Sequence, residues 1–328
     1  MIISKFGGCA TANKIALKNI KQVSKNKNRR VLIFSAIGKE CINDLKLTDL
    51  LISYCKCHNK GKSTEKYRTL IINKFKNLTK TLNVNLNVEK EFLLYESKYL
   101  NNNTQFDNSY FISRGEYLTA KIMASYLNIK FIPAEELIYF KNGKIDKQKT
   151  TNKLCKILSN NKQIITCGFY GIENKKIKLL TRGGGDTTGA ILSKCIGCTK
   201  YEIFTDVNGV YEVNPNICAS KQICKMNLNQ LYSMTRLDAK VVAAPCAKIL
   251  KGSDIQIIVR SIINLKNRGT IIDNFCKNKN NIISYKKQKD KVNIFVKLKN
   301  NTEIKILLNN NKYKHKIIKI YKKILKNA

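Results

Sequence analysis

Only two histidines, His58 and His315, occur among the 328 residues of the chain, and neither is a plausible catalytic group. Acidic residues are scarce as well: 22 Asp+Glu stand against 61 Lys+Arg, a formal net charge of +39. No apolar run approaches the roughly 18 residues that a membrane span requires. MIISKFGGCA shows no basic segment followed by an apolar one, so no secretory leader is expected and the cytoplasm is the expected location. The glycine-rich stretch TRGGGDTTGAILSKC, residues 181–195, lacks the Lys that follows the glycines of the nucleotide loop G-x-x-x-x-G-K-[ST]. If this turn meets phosphate, the positive charge must come from elsewhere in the chain.

With 43% hydrophobic and 25% charged residues the composition is globular, and the length suits one large α/β domain or two smaller ones. The lysines are scattered and travel with Asn and Ile, as in KNKNRR, NVNLNVEK and NKNNII. AT-rich coding accounts for that pattern better than a selected nucleic-acid face does. The densest basic stretch is the tail KYKHKIIKIYKKILKNA, which suits non-specific polyanion contact. No RNP-like or zinc-finger spacing supports specific nucleic-acid binding. The 12 cysteines do not read as a disulfide framework. Neither Cys55-Lys56-Cys57-His58 nor Cys195-Ile196-Gly197-Cys198 supplies a tetrahedral zinc set alone, and Cys195 falls at core spacing with Ile191 and Leu192.

Strand and helix patterns alternate along the chain. IISKF reads as a strand ending in Gly7-Gly8, followed by a helical face of Ala12, Ala16, Ile20 and Val23. RRVLIFSAIGK is the next strand, and residues 40–105 read as mostly helical. A helix is expected after Gly115-Glu116, through Leu118, Ile122 and Tyr126. IKFIPA, QIITCGFYG, IKLLTR, YEIFTD, IQIIVRS and GTIIDNF read as strands. Asp186 is expected to cap the helix that follows it. Pro245 should kink or restart the helical stretch 227–252. These patterns predict an α/β fold, a three-layer sandwich whose largely parallel sheet is covered on both faces. Ligands of such folds sit at the carboxyl ends of strands, where Gly7-Gly8, Gly38, Gly168 and Gly183–Gly185 fall. Residues 283–328 read as a short ββα tail.

KFGG at 5–8, SAIGK at 35–39, RGE at 114–116, GFYG at 168–171, RGGGDTT at 182–188 and TDVNGVYEVNP at 205–215 occur in the order found in aspartate kinases. The chain resembles that family, part of the amino-acid kinase superfamily, over residues 1–275. The resemblance implies ATP-dependent phosphorylation of the L-aspartate side-chain carboxylate to 4-phospho-L-aspartate, with Mg²⁺ on the phosphates. This is the first step toward lysine, threonine and methionine. It implies Lys5 and Asp186 as the catalytic pair, with Thr48, Glu116, Phe169 and Arg182 holding the amino acid. Lys5, Gly7, Gly8, Thr205, Asp206, Tyr211 and Lys240 would hold ATP. A homodimer is implied, with no membrane or nucleic-acid partner.

The nucleophile of such a reaction is a carboxylate with an ordinary pKa of about 3.9, ionised at neutral pH and in no need of a general base. What the site must supply is cations and oriented amides that let two anions meet. Local readings stand beside these roles: Thr48 as a helix cap, Phe169 as core and Tyr211 as a strand-face aromatic.

The chain departs from the family pattern at several points. Cys9-Ala10 follow KFGG where Thr-Ser is usual, Gly185 replaces a Ser, and Asn214-Pro215-Asn216 replaces Asp-Pro-Arg. The segment around Lys240 reads AKVVAAPC instead of carrying a His-Pro or Ser-Pro dipeptide. The stretch after 275 is short for the paired ACT regulatory modules of the family and is open to reading as a remnant of one. The expectation is an enzyme insensitive to lysine and threonine.

Overall fold

The computed structural model describes residues 1–41, 43–101, 106–181, 183–236, 242–277, 280–289, 291–299, 302–309 and 313–326. The chain opens with β1 (Ile2–Phe6), α1 (Gly8–Thr11), α2 (Lys14–Ser24) and β2 (Arg29–Phe34). Four helices follow: α3 (Leu47–His58), α4 (Glu65–Leu82), α5 (Val88–Leu100) and α6 (Asn108–Leu127). Then come β3 (Lys130–Phe131), β4 (Phe140–Lys141), β5 (Lys144–Ile145), α7 (Lys147–Asn160), β6 (Ile164–Cys167), β7 (Tyr170–Glu173) and β8 (Lys176–Leu179). Beyond them lie α8 (Gly184–Cys195), β9 (Lys200–Thr205), β10 (Val210–Tyr211), β11 (Gln222–Ile223), β12 (Lys225–Asn227), α9 (Leu228–Arg236) and α10 (Ala244–Leu250). The last elements are β13 (Gln256–Ser261), β14 (Thr270–Asp273), β15 (Ile282–Gln288), β16 (Lys291–Lys297), β17 (Glu303–Asn309) and α11 (Tyr313–Lys326).

An eight-stranded sheet in the order β12-β14-β13-β9-β1-β2-β6-β3 forms the middle layer. The six strands from β13 to β3 are parallel; β14 pairs antiparallel with β13 and parallel with β12. Because side chains alternate along a strand, β1, β2 and β9 split their residues between two cores. Phe6, Phe34 and Phe204 stack at centroid distances of 4.9 Å on the face covered by α2 to α6. Ile3, Ile33 and Ile203 face the opposite core with residues of α7 to α10. The same alternation puts Lys5 on the α8 side of β1.

Several expectations need correction. The helix carrying Glu116 begins at Asn108, because Asp107 caps it by accepting from the amides of Ser109 (2.9 Å) and Tyr110 (3.1 Å). Gly115-Glu116 therefore sit inside a helix. Asp186 is not a cap: Gly183, with φ 84°, holds that position, and Asp186 lies in the first turn of α8. Cys198 is the buried member of its pair and Cys195 is half-buried. Pro245 sits in the first turn of a new helix, α10, one of the two outcomes expected of it. The tail is βββα, with β15 missed from sequence; its sheet β15-β16-β17 is antiparallel and shares a small core with α11. Among the described residues no helix is long and apolar enough to cross a membrane.

Candidate active site

Three parallel strands, β1, β2 and β6, release the chain into glycine turns, and these turns press on one another. Gly38 donates its amide to the Gly8 carbonyl at 2.9 Å, so closely that a Cβ on Gly8 would lie 2.7 Å from the Ala36 carbonyl oxygen. A Cβ on Gly168 would come within 2.7 Å of the Gly185 Cα. No side chain fits in such backbone contacts, which accounts for glycine at Gly8, Gly38 and Gly168. Gly185 is short of space too: a Cβ there would sit 2.7 Å from Ser35 Oγ and 3.1 Å from Lys5 Cε. The hydroxyl of Ser35, at the end of β2, thus stands where a serine side chain at 185 would reach.

Lys5 meets Asp186 across this turn, with 2.6 Å between Nζ and Oδ1 and side chains 13% and 12% exposed. Burial, the largest single influence, would lower the Lys5 ammonium, but the charge and hydrogen bond of Asp186, with smaller help from Cys9 and Cys246, together outweigh it and the net shift is upward. Asp186 is braced in turn: its Oδ2 accepts from the Ala243 amide at 3.2 Å, and its carbonyl accepts from the Tyr201 hydroxyl at 3.1 Å. The amides of Asp186 and Thr187 both donate to the Gly183 carbonyl, at 3.0 and 3.2 Å, which leaves those of Gly184 and Gly185 as the first-turn donors of α8 without an acceptor inside the helix. Cys9 lies beside Gly7, and burial pushes its thiol up to about 11, reinforced by Asp206 and opposed by Lys5. It is therefore a neutral thiol at pH 7.

Glu116 is 5% exposed, and its Oε2 has no hydrogen-bond partner. Burial raises its pKa to about 8, although the Ala36 amide and the Lys5 charge pull it back down. A buried carboxyl with an unused oxygen is suited to a cationic ligand group. Phe169 is held at φ 78°, with its amide donating to Thr188 Oγ1 (3.1 Å) and its carbonyl accepting from Leu180 (2.7 Å). Its half-buried ring packs over Gly184, so it is not a core residue. Thr48 lies in the first turn of α3 behind Lys46, which holds the cap position, so Thr48 is not the cap.

Thr205 ends β9 and Asp206 follows it; β9 is the neighbour of β1, and there Gly7 donates to the Phe204 carbonyl at 3.1 Å. The Thr205 hydroxyl donates to Asp206 Oδ1 at 2.9 Å. Both residues line a cavity of about 520 Å³ together with Tyr211, Asn214, Pro215 and Asn216. Arg182 and Lys240 lie outside the described residues. Sequence reasoning missed Ser35 and the Ala243 amide, and also Ser284 and Lys287 of β15, which line the cavity from the tail. SAIGK marked the position of Ser35; nothing local marks the tail residues.

Residues 1–261 match the sequence model of the amino acid kinase family. The chain is 25% identical to aspartokinase 3 of Bacillus subtilis (strain 168) over 252 residues, 72% of this chain and 55% of that protein. It is 24% identical to an aspartokinase of Rickettsia felis over 298 residues, 86% of this chain and 63% of the relative. The chain thus spans between about half and two thirds of the length of these curated relatives. Among solved structures, the aspartate kinase of Clostridium acetobutylicum superposes with a TM-score of 0.77 at 28% identity, covering 87% of this chain and 67% of that one. E. coli aspartokinase III, crystallised with aspartate and ADP, shares the fold at a TM-score of 0.73 and 21% identity, covering 87% of this chain and 68% of that one.

Proposed function

The chain belongs to the amino acid kinase family, and from that premise we propose that it transfers the γ-phosphoryl group of ATP to the side-chain carboxylate of L-aspartate, forming 4-phospho-L-aspartate. The observation that carries this reading is the Lys5 ammonium, held 2.6 Å from Asp186 beside the N-terminus of α8. Asp186 keeps Lys5 charged and aimed, and Lys5 meets the negative charge on the transferring group while the α8 amides meet its oxygens. Glu116 takes the substrate ammonium, and Phe169 and Thr48 border the amino acid. Arg182 pairs with the α-carboxylate and Lys240 reaches the phosphates, as the resemblance implies. Thr205, Asp206 and Tyr211 line the nucleotide side, with Gly7 and Gly8 between the two halves.

Among the described residues no group of three His, Cys, Asp or Glu could hold a metal ion. Mg²⁺ would enter as a companion of the nucleotide phosphates and would supply neutralisation of their charge. Asp206 is the carboxylate of the cavity open to it. The same reading includes a cytoplasmic homodimer that feeds lysine, threonine and methionine synthesis; sedimentation reads the oligomeric state.

The test is ADP release from Mg-ATP with and without L-aspartate, trapping the acyl phosphate as its hydroxamate. L-Glutamate and N-acetyl-L-glutamate serve as competing acceptors. Aspartate-dependent hydroxamate, absent in Lys5→Ala, is the expected result. Equal or greater product with another acceptor reassigns the substrate, and no product with any acceptor sinks the reading.

A further inference from the structure

The cavity beside Thr205 has two walls of different origin. One is the loop between β10 and β11, with Asn214, Pro215 and Asn216; the other is β15 of the tail, with Ser284, Tyr285 and Lys287. The tail is tied to that loop at defined atoms. The Ile283 amide donates to the Glu212 carbonyl at 2.7 Å. The Tyr321 hydroxyl donates to Glu212 Oε2 at 3.0 Å and accepts from the Lys221 amide at 3.0 Å. Val213, in the loop, is buried in the tail's own core.

Two features of β15 point to a ligand. Ser284 is 5% exposed and its hydroxyl has no partner, although leaving a buried hydroxyl unpaired costs about 1–3 kcal/mol. Lys287 is the one cation among the described residues lining the cavity. Its Nζ stands 4.8 Å from the centre of the Tyr313 ring, which packs on Tyr285 at 5.0 Å. The aromatic pair steadies an otherwise exposed lysine beside the strand. The facing loop stretch, Val213 to Asn216, carries no charge. An anionic ligand in this cavity therefore finds its counter-charge on the tail.

We propose that the C-terminal unit is a working wall of the nucleotide site, with Lys287 contacting the phosphates of bound ATP and the Ser284 hydroxyl bonding the same nucleotide. This deepens the kinase reading and rests on it. The tail then serves substrate binding directly, and its docking through Glu212 and Tyr321 becomes part of building the site.

The experiment is calorimetric titration of the full chain with Mg-ATP and, separately, with adenosine, for wild type, Lys287→Ala, Lys287→Arg and Lys287→Glu. Lys287→Ala should weaken Mg-ATP by about tenfold, the effect of losing one charge-assisted contact. Lys287→Glu should weaken it further, and Lys287→Arg should restore most of it. Adenosine affinity should not change in any variant. Lys287 is exposed, so melting temperatures should match and exclude a folding defect. The proposal fails if wild type binds Mg-ATP and the Ala and Glu variants bind it equally well. It fails too if ATP and adenosine weaken in parallel, which marks a structural role. A wild-type chain that binds no nucleotide overturns the proposal together with the kinase reading.

Discussion

The proposed reacting half of the site and its proposed nucleotide half are built on opposite plans. Around Lys5, Asp186 and Glu116 the side chains are nearly buried, and the glycine turns behind them are in backbone contact. Around Asp206 and Lys287 the charged groups are exposed and the walls are a loop and a tail strand. Charges held in a dry, rigid setting act strongly on a developing transition state. Charges on an open wall are screened by water and salt, and they serve affinity more than rate. The difference teaches that loss of a group from the first half should appear in kcat or in the KM of the amino acid, and from the second in nucleotide binding.

The largest effect should come from Lys5→Ala. Removing the cation at the phosphoryl group should lower kcat by about 10²–10³-fold or more, while Mg-ATP binding by calorimetry changes far less. A comparable loss of nucleotide affinity would erase the distinction between the halves. Asp186→Ala comes next, and its signature is pH. Asp186 holds the Lys5 ammonium above its ordinary range against burial, so without it burial wins and the ammonium falls. The kcat profile of the variant should lose activity at lower alkaline pH than wild type, and an unchanged alkaline limb would show that Asp186 acts otherwise.

Glu116→Gln should act on the amino acid alone, raising its KM by about tenfold, in the range of one charged hydrogen bond, with ATP affinity unchanged. In wild type, kcat/KM for the amino acid should rise with pH and level off above about 8, as Glu116 ionises; the Gln variant should lack that rise. Stability gives an independent reading. The folded pKa of Glu116 lies above its ordinary 4.5, so its contribution is complete below about pH 4.5 and is lost as pH rises toward 8. The melting temperature of Glu116→Gln should therefore gain on wild type between pH 5 and pH 8, on the order of several degrees.

What was legible in the sequence follows the same division. The strands β1, β2 and β6 show as apolar runs closed by glycine, and the residues proposed to react sit in short motifs: Lys5 in KFGG at the end of β1, Glu116 in RGE inside α6 and Asp186 in RGGGDTT at the start of α8. Thr205, Asp206 and Tyr211 fall in a motif as well, TDVNGVY, and they line one cavity. Asp186 was assigned the wrong local duty because an Asp beside glycines looks like a cap, and only the fold brings Lys5 and Ala243 to it. The start of α6 was missed because Asp107 lies in a polar stretch with no periodic signal. Lys287 carries no local mark among so many lysines. Its significance depends on where a unit some 70 residues past the nucleotide loop comes to rest, a tertiary fact.

Tyr321→Phe tests that resting place with the smallest expected effect. The substitution keeps the ring in the tail's core and removes only the hydroxyl that joins Glu212 to the Lys221 amide. Glu212 is buried, so its carboxylate loses a partner it cannot replace with water, at a cost of about 1–3 kcal/mol. Part of that cost should appear as a lower melting temperature and part as looser docking of β15. Mg-ATP affinity should fall by about two- to fivefold, less than in Lys287→Ala, because the lysine is displaced and not deleted. Aspartate KM should not move, since Glu116 and Phe169 stand on elements that the tail does not hold. Combining Tyr321→Phe with Lys287→Ala makes the comparison sharper still. If docking matters because it presents Lys287, the double variant should bind Mg-ATP no worse than Lys287→Ala alone. Losses that multiply would instead mean that the tail shapes the cavity through other groups, with the backbone edge of β15 and the Ser284 hydroxyl as the first to test.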